Sequence, residues 1–158
     1  MILASVLTSE QIIVNMQATE HWSSICELVD TLVASGKISE AARQPILDAL
    51  EEREESMSTG IGCGVAIPHI TSSHVNEVVA AFGRSSDGIE FNAIDGLPVY
   101  LVVLFVVPKD QFQVHLRTLA SIAKFFNDRK TREALLAAKT KNQILSILSQ
   151  RSTGQSAY

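Results

Sequence analysis

The chain has 158 residues, 46% of them hydrophobic, and its 13 basic against 17 acidic side chains leave a formal charge of −4. That length and apolar content suit a single globular domain with a substantial core. With no basic excess, no long Lys/Arg run and only 6% aromatic residues, nucleic acid is excluded as the expected partner.

The opening stretch, MILASVLTSEQIIVNMQ, lacks the positively charged start of a secretory segment, and Glu10 interrupts its apolar run. Gln11 to Met16 is a candidate strand with imperfect alternation. Ile25, Leu28, Val29, Leu32 and Val33 then fall on one helical stripe, with Ser24 and Glu27 as a capping box and Gly36 as the stop. A second helix ends near Glu54 and turns Ile46, Leu47, Ala49 and Leu50 to the core. Pro45 suits a start just before it, whereas an earlier start requires a kink. The charged run Glu51 to Glu55 reads as a solvated face.

The middle of the chain is β-rich. Val65 to Ile67 is a short strand, Val75 to Phe82 a valine-rich one, and Ile89 to Phe91 another short candidate. Asp95-Gly96 supplies turn chemistry before the apolar run Val99 to Val107. That run is too short to cross a bilayer as a helix, so no direct membrane insertion is expected. It is apolar enough to need burial on both faces, which puts helices on both sides of the sheet. After Pro108, a helix presents Val114, Leu116, Leu119, Ala120, Ile122, Ala123 and Phe126, with Asp110 and Gln113 near its first turn. Thr131 to Ala138 and Asn142 to Leu148 are further helical pieces, and 151–158 is expected to form a flexible tail after a domain of residues 1–150. The order of elements predicts an α/β sandwich, a mixed β-sheet with helices on both faces. Cys26 and Cys63 form no CxxC pair, which suits a reducing cytoplasm.

The segment GIGCGVAIPH, Gly60 to His69, concentrates the candidate chemistry. Gly60, Gly62 and Gly64 fit neither GxGxxG nor a Walker A loop, so a nucleotide site is poorly supported. They fit a loop that needs positive φ angles, and they leave room for another molecule to approach the backbone. His69 follows the rigid Pro68, which limits its backbone freedom. A neutral imidazole nitrogen is a competent nucleophile toward phosphorus, and the phosphoramidate formed can pass its phosphoryl group on. Such transfer depends on positioning and charge stabilisation. Ser58, Thr59, Arg53 and His115 could supply the donors, although His115 by itself reads more readily as a helix-surface histidine. His21 and His74 show no comparable context. A metal site from Cys63, His69, His74 and His115 has no recognised ligand spacing, and a Cys63 nucleophile has only flanking glycines in its support.

Arg53-Glu54, Ser58-Thr59-Gly60-Ile61-Gly62 and Gly64-Val65-Ala66-Ile67-Pro68-His69 occur together and in order. Phe91-Asn92-Ala93-Ile94-Asp95, Pro98-Val99, Val107-Pro108, His115-Leu116 and Leu119 follow them. This set resembles the enzyme IIA domains of the fructose/mannitol class of the bacterial phosphoenolpyruvate-dependent phosphotransferase system, most closely the nitrogen-regulatory branch. A chain with no fused membrane, IIB or HPr domain also fits that branch.

The resemblance implies an α/β sandwich in which His69 accepts a phosphoryl group from an HPr-like phosphocarrier protein. His69 would pass that group to a IIB domain or hold it as a mark read by regulated target proteins. His115 would be the second active-site histidine, Arg53 would balance charge, and Ser58 and Thr59 would shape a pocket with Gly60, Gly62, Gly64 and Pro68. No cofactor and no metal are implied. Two positions depart from the pattern. Ile70-Thr71 stand where many relatives have glycine and a basic residue, and Tyr100 stands where the nitrogen-regulatory branch often has aspartate. The first departure makes a binding module that has lost phosphorylation a third reading.

Overall fold

The computed structural model describes residues 3–155. In chain order the elements are β1 (Ile12–Ile13), α1 (His21–Ala34), α2 (Glu40–Ser56), β2 (Gly60–Gly62), β3 (Val65–Ala66) and β4 (His69–Ser72). They continue with β5 (Val79–Ile89), β6 (Val99–Pro108), α3 (Phe112–Asn127), α4 (Arg129–Ala137) and α5 (Lys141–Gln155). The strands form a mixed sheet in the order β1-β5-β6-β3-β2, with β4 also on β6. β5 and β6 run antiparallel, whereas β3 and β4 run parallel to β6.

β6 is the spine, and nine of its ten residues are buried, Tyr100 being half-exposed. Alternation sends Val102, Leu104 and Val106 into a core shared with α1 and α2. Leu101, Val103, Phe105 and Val107 enter a second core with α3, α4, α5 and the Leu3–Val6 turn. Helices therefore cover both faces, as the apolar run requires.

β3 and β4 lie along the same edge of β6 in one continuous register: Val65 faces Leu101 and His69 faces Phe105. Only Ile67-Pro68 interrupts this line. His69 thus opens a strand of its own instead of ending the one expected over Val65 to Ile67. Ile70 is buried in the α1/α2 core, so strand alternation turns His69 and Thr71 to the opposite face, the one covered by α3. The uncharged Ile70 is accordingly a core side chain.

Several local expectations are corrected. Ser24 and Glu27 do not form a capping box, because α1 begins at His21 and Ser24 is fully buried. Ser24 Oγ donates to the His21 carbonyl, while the Glu27 carboxylate accepts from the Gln17 and Ala18 amides and fastens the incoming loop. α1 does stop where Gly36 adopts φ +76°, with its N–H bonded to the Val33 carbonyl. α2 begins well before Pro45, capped by Ser39 Oγ accepting from the Ala42 amide. Packing of Ile46, Leu47 and Leu50 offsets the backbone bond that proline removes. Val75 precedes β5 instead of opening it, and the Ile89 candidate is its far end, reached through a register irregularity after Arg84. Of the apolar face expected on α3, Ile122 and Phe126 are buried, joined by Phe125, which was not expected there, whereas Leu116 is 47% exposed. α5 runs past Leu148 to Gln155, and the last three residues of the expected flexible tail, 156–158, lie outside the described residues.

Candidate functional site

His69 is half-buried, and its Nδ1 lies 2.7 Å from the carbonyl oxygen of Ile67. A carbonyl can only accept, so Nδ1 carries the proton and Nε2 keeps its lone pair. The neutral tautomer is thereby set. The Ile67 side chain is only 5% exposed within the α3-side core, which anchors that carbonyl. Pro68 between them has no N–H, and its own carbonyl accepts from the Phe105 amide.

The Ile67 amide donates to the Thr59 carbonyl at 3.0 Å. Thr59 is buried and doubly held by Glu54: its amide donates to Oε1 at 3.1 Å and its hydroxyl to Oε2 at 2.7 Å. His21 Nε2 approaches Glu54 Oε1 to 2.6 Å, and the His21 ring lies against Phe91 with centroids 4.1 Å apart. Glu54 is thus a buried carboxylate in the α1/α2 layer, not part of a solvated face, although Glu51, Glu52 and Glu55 are exposed as expected.

The glycines divide by role. A Cβ on Gly60 would fall 2.7 Å from the Ala93 Cα, so the close approach there is made by the chain itself. Gly62, Cys63 and Gly64 form a left-handed run with φ of +96°, +57° and +79°. Asp95 braces this run, accepting from the amides of Cys63 and Leu97. Those amides hold its carboxyl below the usual range.

The other predicted site residues are more widely placed. The Ser58 hydroxyl donates to the Phe91 carbonyl and accepts from the Gly60 amide, which uses it as a loop brace. Arg53 folds its Nη1 onto the Met57 carbonyl at 2.8 Å, at the C-terminus of α2 where a cation is favourable. His115 stands near the start of α3, half-buried, with Nε2 3.4 Å from Gln111 Oε1. Among the described residues no hydrogen bond joins His115 or Arg53 to His69. Nor does any group of three His, Cys, Asp or Glu among them come together to hold a metal.

Residues 5–151 match the family described as "Phosphoenolpyruvate-dependent sugar phosphotransferase system, EIIA 2". The chain belongs to this family. Its fold also matches that of its relatives. The nitrogen regulatory protein IIA-Ntr of Neisseria meningitidis superposes with a TM-score of 0.85 at 28% identity, covering 94% of this chain and 99% of the other. A nitrogen regulatory protein of Pseudomonas aeruginosa is 31% identical over 97% of this chain and 98% of its own length. The fructose-specific EIIABC component of Bacillus subtilis is 33% identical over 94% of this chain, which spans only 23% of that longer protein. Relatives of both the nitrogen-regulatory and the fructose-specific kind are therefore present. Among the described residues of this EIIA chain, no helix is long and apolar enough to cross a membrane.

Residue-by-residue reading missed His21, although the signal was present: it lies four residues before Ile25, on the same stripe. Glu54 likewise continues the Ile46, Leu50 line of α2. These two residues border a cavity of about 510 Å³, also lined by Trp22, Glu51, Met57 and Ser58. It opens on the α1/α2 side and does not include His69.

Burial alone would raise the Glu54 pKa, but the hydrogen bonds from His21 and Thr59 together outweigh it and hold the carboxyl below its ordinary 4.5. The folded state therefore binds this proton less readily than the unfolded chain does. The stabilisation is fully present above the ordinary value and is lost as pH falls through the lower folded one. Urea titrations of the wild type and Glu54→Gln should show a wild-type advantage at about pH 6 that shrinks by about pH 3. A constant gap would refute the assignment.

Proposed function

We propose that this EIIA protein is a cytoplasmic phosphocarrier: His69 accepts a phosphoryl group from the phosphohistidine of an HPr-like carrier, and target proteins bind according to its phosphorylation state. The observation that carries this reading is the Nδ1–H bond to the Ile67 carbonyl, which leaves the Nε2 lone pair directed away from the backbone as the nucleophile. Nε2 attacks phosphorus as the carrier's N–P bond breaks, and that bond's electron pair returns to the carrier's imidazole. The Nδ1 proton stays in place, and the Ile67 carbonyl stabilises the positive charge that develops on the His69 ring. No proton has to move during transfer.

His115 and Arg53 are the groups proposed for the phosphoryl oxygens. α3, which carries His115, covers the face onto which His69 projects. Arg53 must exchange the Met57 carbonyl for a phosphoryl oxygen, a swap between acceptors that leaves no donor unpaired. The regulatory assignment is supported by the end-to-end match to nitrogen regulatory proteins. Identity to a fructose-specific component favours a second reading, in which phosphate is relayed to a sugar-specific IIB domain.

Incubation with phosphoenolpyruvate, enzyme I and the cognate HPr-like carrier should yield one acid-labile phosphoryl group, recovered as the Nε2 isomer of phosphohistidine. His115→Ala should keep that position but slow its formation by at least about tenfold. A wild-type protein that takes up no phosphate from its own carrier defeats the phosphocarrier reading and leaves a binding module. Rapid discharge onto a sugar-specific IIB favours relay over regulation.

A further inference from the structure

His69 projects toward α3, yet the hydrogen bonds that fix its ring lead through the sheet edge to the opposite helical layer. Starting from the ring, Nδ1–H donates to the Ile67 carbonyl at 2.7 Å. The Ile67 amide donates to the Thr59 carbonyl at 3.0 Å. The Thr59 amide and hydroxyl both end on the Glu54 carboxylate, at 3.1 and 2.7 Å. His21 closes the far side of that carboxylate at 2.6 Å. At Thr59 and at Ile67 the donor and the acceptor belong to different peptide groups, joined only through Cα. What passes along the chain is therefore position, not charge.

Each part is rigid for its own reason. Glu54 has a 5% exposed side chain and three donors on two oxygens, so it can turn only by abandoning one of them. Thr59 is 4% exposed and Ile67 5%. The proline after Ile67 removes the alternative in which that position donates to a neighbouring strand. The group left with a choice is the His69 imidazole, whose two neutral tautomers differ in which nitrogen is nucleophilic.

We propose that Glu54, steadied by His21, is a positioning residue for phosphoryl acceptance: through Thr59 it holds the Ile67 carbonyl where it selects the Nδ1–H tautomer of His69 and leaves Nε2 free. This rests on the phosphocarrier reading for its consequence but not for its test. Neither Glu54 nor His21 touches the reacting atoms, and both act through the backbone of Thr59 and Ile67.

The experiment reads the tautomer directly, from the ring nitrogen shifts of the full-length unphosphorylated protein labelled with ¹⁵N-histidine, at a pH above imidazole titration. The wild type should show a protonated Nδ1 and an unprotonated Nε2 at His69. Glu54→Ala should bring the two shifts together and slow phosphorylation by the HPr-like carrier about tenfold. Thr59→Val, which keeps the shape and the backbone bond but loses the hydroxyl donor, should move both readouts the same way by less. Glu54→Gln should restore the wild-type shifts, because its amide oxygen at the Oε1 position still accepts from the Thr59 amide, while its NH₂ group at the Oε2 position can donate to the Thr59 hydroxyl oxygen. If Glu54→Ala does not fold, Thr59→Val and Glu54→Gln decide the matter. His69 shifts that stay fixed in the folded variants, or a wild type protonated on Nε2, overturn the proposal. A purely structural role would lower stability without moving these shifts. A wild type that takes up no phosphate while its tautomer responds to Glu54 overturns the phosphocarrier reading instead.

Discussion

Replacing His69 with glutamine should abolish the phosphoryl adduct while leaving the protein folded. The side chain is half-buried, and its one hydrogen bond among the described residues is to a carbonyl two residues back in the same chain. A glutamine amide can donate to that carbonyl but offers no nucleophilic nitrogen lone pair, so geometry is approximately kept and chemistry is lost. Stability should change by no more than about 1 kcal/mol, as expected for a substitution outside the core. Intact-mass measurement after incubation with phosphoenolpyruvate, enzyme I and carrier should show no gain in mass above background. A residual adduct on the glutamine variant would place the acceptor at His115, His21 or His74 and remove the assignment to His69. The contrast with His115→Ala is diagnostic, because a group that only stabilises charge slows transfer, whereas loss of the nucleophile ends it.

The features legible in the sequence were those set by local periodicity or by a contiguous motif. The Val99 to Val107 run announced a strand buried on both faces, and the Ile25 stripe announced α1. What escaped was set by partners far apart in the chain. Glu54 reads as one acid in a charged run, because nothing local shows that Thr59 and His21 converge on it. Gly60 read as space for a visitor, yet the visitor is Ala93 of the same chain. The positive charge missing beside the acceptor is that of position 71, where Thr71 lies on the His69 face by strand alternation. Ile70 takes the glycine's place, and its burial in the α1/α2 core gives it a packing reason. The candidate site was therefore legible as a list of residues, but the link from His21 to His69 was not, since it runs through backbone atoms that no side-chain motif records.

Removing Arg84 should have a large effect on stability, and nothing in the sequence around it marks it. It lies within β5, is 7% exposed and has no acidic partner among the described residues. Its guanidinium instead meets carbonyls. Nε donates to Val14 at 3.0 Å, and Nη1 donates to Leu135 at 3.0 Å, Leu136 at 3.3 Å and Ala138. Three of these four close the C-terminus of α4, where unpaired carbonyls concentrate negative potential. The arginine thus joins β5, the segment after β1 and the end of α4 with one fixed charge. Arg84→Met keeps much of the volume but strands the carbonyls at the end of α4, two of them in buried bonds, and the part-buried Val14 carbonyl, and should cost about 3 to 4 kcal/mol. That is a large share of the ~5–15 kcal/mol by which such domains are stable. Arg84→Lys restores the charge on a single ammonium that cannot fork to both sides, and should recover less than half of the loss. Urea unfolding of the three proteins at one pH measures both differences. A methionine variant within about 1 kcal/mol of the wild type would mean that water or relaxation satisfies the α4 carbonyls without the guanidinium.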